Sequence, residues 1–333
     1  MRPILPAAVL LVSLSALGCS SNEHEVDPEQ QLELYMTTAT YLYQDDSLVR
    51  AQDQAVKALQ IEPDNIPMRR MIGWIRLRMG TPEDLIIAER FFSDLVDDGD
   101  VESPALLGLA TAQERLGLAH DRAGRDMDSG ERYSEAADPV EHAAELQREA
   151  RELWKKSEEN YHRVLQLATQ RDKALNGLQR VSALLGDYDA SLDYGRQLLE
   201  HCNQDIAFWR DGLASNDLNE NEERAFREGI RAKTDLQVDT LLLSTSVLHR
   251  LGRTGEALDS LRLAAELAPE RPELYSQRAQ LQAEVGRFRD ALADIDKFLR
   301  LSTQEFEDPV VRRAYELRTF CEEQLLATQT PDR

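Results

Sequence analysis

Apolar residues in this chain return at helical spacing almost from end to end, and the long alternating runs that would signal strands are missing. Two segments near the C-terminus show the pattern most plainly. Leu248-x3-Gly252-Arg253-x3-Ala257-Leu258 is answered thirty-four positions later by Gln282-x3-Gly286-Arg287-x3-Ala291-Leu292, with Leu241 matched to Tyr275, Leu261 to Ile295, Ala264 to Phe298 and Pro269 to Thr303. Each segment predicts two short helices. Gly252 and Gly286 stop the first helix, where a left-handed turn costs glycine least. Ala257 and Ala291 sit where the paired helices must come close, and Pro269 ends a second helix by lacking an amide donor.

The same template fits upstream. One unit starts near Leu32 and carries Ala51, Ala55, Ala58 and Pro63. A second starts near Ile66 with Ile72 and Gly73, then Ala88, Phe92 and Leu95 after a three-residue shift at Thr81-Pro82. Others start near Ser103, with Leu109, Ala110 and Gly117, and near Asp172, with Leu178, Gly186, Tyr188, Ser191 and Leu198. Self-similarity at this interval marks a repeat architecture.

Two stretches depart from the interval. About thirty-five extra residues fall between Gly117 and Ser157, and Val140 to Thr169 contains no Gly or Pro. That predicts a lengthened helical hairpin, an insertion over 118–150, with about seventeen extra residues per arm and a projection of about 25 Å. The Asp126–Gly130 region would lie near its tip. The stretch 206–237 has the length of one repeat but poor matches. It reads as a degenerate repeat, with Trp209, Leu213, Ala225, Phe226 and Ile230 buried and a turn through Ser215-Asn216-Asp217 and Asn219. Beyond Phe306, residues Val310, Tyr315, Leu317, Phe320 and Leu325 predict a capping helix over 306–328, because the last unit of a stacked array must have its apolar face covered.

On these residues the stretch 32–305 resembles the tetratricopeptide repeat (TPR), a helix-turn-helix unit of thirty-four residues. The resemblance implies an all-α fold: a right-handed superhelical solenoid with an extended hairpin and a C-terminal capping helix. It also implies protein or peptide binding in the groove lined by the first helix of each pair. Taken as the second, fifth, ninth and twelfth positions of each unit, the groove residues are Met36, Thr40 and Tyr43, then Arg70, Trp74 and Leu77. Leu107 and Thr111 follow, then Lys173, Asn176 and Arg180, and finally Leu242, Ser246 and His249. Trp74, Tyr43, Met36 and Leu77 are the aromatic and flexible types that favour binding hot spots. Lys173 and Arg180 are suited to an acidic group or a C-terminal carboxylate. The TPR clamp for such carboxylates draws Lys, Asn and Arg from successive repeats, whereas here they cluster in one. A one-residue change of phase would move Trp74 into helix packing.

The N-terminus reads differently. Arg2 precedes an apolar run from Ile4 to Leu17 that is interrupted by Pro6 and too short for a good membrane span, and it closes on Ala16-Leu17-Gly18-Cys19-Ser20. This resembles a bacterial lipoprotein signal, although Ala16 and Leu17 depart from the residues preferred there. The resemblance implies a signal peptide over 1–18, lipidation at Cys19 and a polar tether over 19–31. By the same resemblance, Ser20 rather than Asp directs the protein to the outer membrane, facing the periplasm.

Composition narrows the function. The chain carries 39 basic and 61 acidic residues, a net charge of −22 over 333 positions, which repels phosphate backbones and argues against nucleic acid. Aromatic residues are only 6%, which disfavours sheets. Of the three cysteines, Cys202 and Cys321 are expected to be buried free thiols, a disulfide requiring the fold to bring them together. No nucleophile elbow, phosphate loop, dinucleotide loop or zinc-binding HExxH occurs. His142 and Glu145 lack the second histidine of a zinc site. Asp126 and Asp128 do not fit the frame of a calcium loop. The sequence therefore predicts no enzyme, no metal, no cofactor and no small-molecule substrate. It predicts an anchored scaffold for protein partners in the envelope, with a pilotin-like or outer-membrane assembly-complex lipoprotein as the alternative. A catalytic helical domain would require acid, base or metal groups converging in a closed pocket.

Overall fold

The computed structural model describes residues 27–129, 139–215, 218–303 and 308–329. Cys19, the 1–18 segment and most of the expected tether lie outside the described residues, as do Gly130 at the expected hairpin tip and Asn216-Asp217. Within them the chain forms thirteen α-helices and no strand. They are α1 (Pro28–Gln44), α2 (Leu48–Ile61), α3 (Ile66–Met79), α4 (Pro82–Asp97), α5 (Ser103–Asp128), α6 (Pro139–Gln166) and α7 (Arg171–Leu185). There follow α8 (Tyr188–Ala214), α9 (Glu220–Arg250), α10 (Thr254–Leu267), α11 (Pro272–Glu284), α12 (Phe288–Leu301) and α13 (Pro309–Gln329).

Helix ends are written locally. Asn65 caps α3 by accepting the Met68 amide, Thr81 caps α4 by accepting that of Asp84, and Asp187 caps α8 by accepting that of Ala190. Asn219 and Glu222 form a reciprocal capping box at the start of α9. Gly186 and Gly252 follow α7 and α9 with φ of 87° and 72°, left-handed values that side chains with a Cβ resist.

Each helix packs mainly on its neighbours in sequence, and odd-numbered helices also meet one another, α3 with α5, α5 with α7, α7 with α9 and α11 with α13. That is the stacking of a solenoid. Small residues set the spacing: Ala51, Ala55, Ala58, Ala88, Ala257, Ala264 and Ala291 are all fully buried. Phe92 of α4 shows how adjacent units lock. Its ring lies between Gly73 of α3 and Gly108 of α5, so close that a Cβ at Gly73 would stand 2.6 Å from it and one at Gly108 closer still. The same device recurs where Tyr161 of α6 lies against Gly177 of α7. The architecture is an all-α TPR solenoid with an extended hairpin and a C-terminal capping helix. α13 covers Ile295 and Phe298 of α12 with Val311, Ala314 and Cys321.

The hairpin α5/α6 has arms of 26 and 28 residues against 14 in α3. Its excess corresponds to about 18 Å of helix, shorter than the 25 Å expected. Gly117 admits the Trp154 ring, whose Nε1 donates to the Glu114 carbonyl at 3.3 Å, and Gly124 lets the Ala143 backbone approach.

The stretch 206–237 corrects the sequence reading. It is not a helix pair set between two repeats. α8 runs unbroken for 27 residues and α9 for 31, so the stretch is the outer half of a second long hairpin. Trp209, Leu213, Phe226 and Ile230 are only half-buried there and Ala225 is exposed. Trp209 packs over Gly229, and Phe226 over Gly212. Because successive helices are antiparallel, turns within a unit lie at one edge of the solenoid and turns between units at the other. The α5/α6 arm therefore leaves from one edge and the α8/α9 arm from the opposite edge.

Candidate binding groove

The odd-numbered helices form one face, and a row of open clefts runs along it. The first, about 250 Å³, lies between α5, α7 and α9, with Leu118, Leu184, Leu243 and Val247 as apolar walls and Arg180 and Arg250 as its cations. A second, of about 170 Å³, lies between α9 and α11 among Thr245, Ser246, His249, Gln277 and Gln280. A third, about 410 Å³, separates α11 from α13 over Ile295 and Phe298. Hydroxyls and amides dominate the second cleft, whereas the first is largely apolar.

The groove residues read from sequence divide into those that face this side and those consumed by packing. Ser246 lines the first two clefts and His249 the second; the His249 Nε2 lies 2.8 Å from a Glu284 carboxylate oxygen and ties α9 to α11. Lys173 is exposed at the start of α7, donating to Gln170, and Asn176 is half-buried one turn on. Tyr43 is half-buried under the Arg78 guanidinium, 4.8 Å from its ring centre.

Four residues are corrected. Leu77 and Leu107 are buried, 2% and 4% exposed, and face the core. Trp74 is half-buried and meets Phe92 edge-on at 5.4 Å, so much of its ring is spent on helix packing. Arg70 is held by Asp100 through two hydrogen bonds and by Glu102 through one, pinning α3 to the loop before α5. The hydrogen bond to Asp100 is the largest influence on its guanidinium and raises it above the ordinary arginine range.

Arg180 reaches the groove but is not free. Its Nε and Nη2 donate to the two carboxylate oxygens of Glu114 at 2.5 and 2.8 Å, and the Tyr161 hydroxyl donates to Glu114 at 2.7 Å. Burial works against the charged guanidinium, but the hydrogen bonds and charge of Glu114 outweigh it and hold Arg180 above the usual arginine value. Burial, then the charge of Glu114, raise the Tyr161 phenol. Lys173 and Arg180 therefore do not form a pair of spare cations for a carboxylate.

Sequence reasoning missed Glu114 and Arg250. Glu114 is 3% exposed on the largely apolar buried face of α5, which also carries Ser103 and Gln113, and an acid at such a position signals a buried partner. Arg250 ends α9 at the rim of the first cleft. Its Nη1 lies 3.5 Å from the Tyr188 hydroxyl, and among the described residues no carboxylate lies within ion-pair distance of it.

Cys202 and Cys321 are free and buried. Among the described residues no cluster of three His, Cys, Asp or Glu side chains is arranged to hold a metal.

No protein-family model matches the chain, and no curated protein does. Solved structures similar to it include a TPR protein from Parabacteroides merdae, at 14% identity and a TM-score of 0.38, covering 87% of this chain and 99% of that one. YrrB, described as a TPR protein with an unusual peptide-binding site, gives 14% and 0.42, covering 79% and 97%. PilF of Pseudomonas aeruginosa gives 11% and 0.38, covering 90% and 92%. At these identities and TM-scores the likeness adds nothing about this chain's role; its own stacked helix pairs form an all-α TPR-type solenoid.

Proposed function

We propose that the chain is an anchored scaffold of the bacterial envelope that holds a protein or peptide along the face of its odd-numbered helices. The observation that carries the binding half of this reading is the unbroken row of clefts from α5 to α13, open to solvent and lined by hydroxyls, amides and exposed apolar groups. Such a surface suits an extended segment, whose backbone needs hydrogen-bond partners and whose side chains need pockets. Glu114, a buried acid at the groove, is already paired with Arg180 and Tyr161.

The anchoring half rests on the lipoprotein-like signal and Cys19. Among the described residues no helix is long and apolar enough to cross a membrane, so a lipid at Cys19 is the route to the outer membrane in this reading, with the solenoid on the periplasmic side.

Two experiments test the two halves. A photo-crosslinking residue at Gln280 in the groove should give a discrete partner band in cells, while one at Asp259 on the exposed side of α10 should not. Equal labelling from both positions would refute groove binding. Cys19→Ser should abolish incorporation of labelled palmitate and release the protein from membranes; unchanged labelling would remove the anchor.

A further inference from the structure

We propose that the first cleft recognises a bulky aliphatic or aromatic side chain lying beside a carboxylate, the side chain entering between α7 and α9 and the carboxylate pairing with Arg250. This rests on the groove reading above and names the kind of segment that the groove prefers. The cleft's 250 Å³ is below the size of a pocket for a drug-like molecule and suits one or two side chains. Its walls, Leu118, Ala183, Leu184, Leu243 and Val247, offer apolar contact to the occupant's interior end.

Two cations reach the cleft and they are not equivalent. Arg180 is neutralised by Glu114 across two hydrogen bonds, and the same carboxylate accepts from Tyr161, so neither member of that pair needs a ligand. Arg250 is exposed at the mouth, and among the described residues its side chain is hydrogen-bonded to the Tyr188 hydroxyl at 3.5 Å. The Ser246 hydroxyl is bonded to its own helix at the Leu242 carbonyl. On a chain of net charge −22, Arg250 sets a guanidinium without a carboxylate partner among the described residues beside the apolar walls of this cleft. Long-range repulsion disfavours acidic partners as a whole, so the geometry selects a single carboxylate placed next to an apolar anchor. A guanidinium can meet it in two-point fashion, and the low-dielectric wall strengthens that contact.

The test uses the full chain and an array of amidated dodecapeptides whose central pair is Leu-Asp, Phe-Glu, Leu-Asn, Ala-Asp or Leu-Lys. Leu-Asp and Phe-Glu should bind, with Leu-Asn, Ala-Asp and Leu-Lys each weaker by about tenfold or more. Arg250→Gln should erase the difference between Leu-Asp and Leu-Asn while leaving the melting temperature unchanged. Ala183→Phe, which fills the cleft, should erase the difference between Leu-Asp and Ala-Asp. Binding without these preferences, lost only when Gln277 and Gln280 are changed to Glu, would overturn the cleft proposal and leave the groove reading intact. An array in which no peptide binds would overturn both.

Discussion

Arg180 of α7 and Glu114 of α5 face each other across two repeats in a two-point ion pair of 2.5 and 2.8 Å, and the two partners differ sharply in exposure. The Glu114 side chain is 4% exposed and that of Arg180 39%. Removing the arginine strands a buried carboxylate; removing the acid leaves a cation that water reaches. Arg180→Leu should therefore cost about 3–5 kcal/mol and Glu114→Gln about 1–3 kcal/mol, as read from urea unfolding. Equal losses would contradict the asymmetry.

The Phe92 ring is a wedge between two glycines. Phe92→Ala should destabilise by about 3–5 kcal/mol through the cavity it leaves. Gly108→Ala should cost about 1–3 kcal/mol through overpacking. Because ring and Cβ compete for one space, Gly108→Ala combined with Phe92→Leu should lose less than the sum of Gly108→Ala and Phe92→Leu measured singly. Strict additivity would mean that the ring and Gly108 do not share that space.

Cys202 provides a pH prediction. Burial pushes its thiol from the usual 9.0 up to about 11, against a smaller opposing pull from Lys233. Between those values the folded chain keeps a proton that the unfolded chain has released, so stability falls as pH rises through that window. The slope should approach 1.4 kcal/mol per pH unit, and Cys202→Ala should flatten it. A slope unchanged by that substitution would assign the alkaline loss to other groups. At pH 8 the native thiol should also resist alkylation until the chain is unfolded.

α13 is expected to act as a lid on the last repeat. A chain ending at residue 303 bares Ile295 and Phe298, which are 1% and 2% exposed in the intact fold. It should run as larger species by light scattering. A truncated chain that stays monomeric would deny α13 its capping role.

The repeat interval was legible because it is enforced by residues with no substitute of similar size or conformation. Ala257 and Ala291 mark close helix approaches, and Gly252 and Gly286 mark left-handed turns. The α8/α9 arm was not, because a hairpin lengthened on both sides adds the same number of residues as an inserted repeat. A signal was nonetheless present: no Gly or Pro interrupts the chain between Gly195 and Gly212, or between Gly229 and Gly252. In the groove, Leu77 and Leu107 were misplaced because neighbouring positions on a helix differ by about 100° in direction, so a small error of phase exchanges core for surface. The pairing of Arg180 with Glu114 spans 66 residues and belongs to superhelical stacking, which no local pattern encodes.

The two long arms leave the molecule from opposite rims, one just before the α7/α8 pair and one just after α7. In a structure held together by neighbour-to-neighbour contacts, bending is set joint by joint. The joints around α7 are reinforced on both sides, while those at α2/α3 and α10/α11 have only short helices to brace them. The molecule should flex like a bow with a thick grip and thin limbs. If the groove holds a partner as proposed, the ends would open and close around it while the central cleft beneath Arg250 keeps its shape.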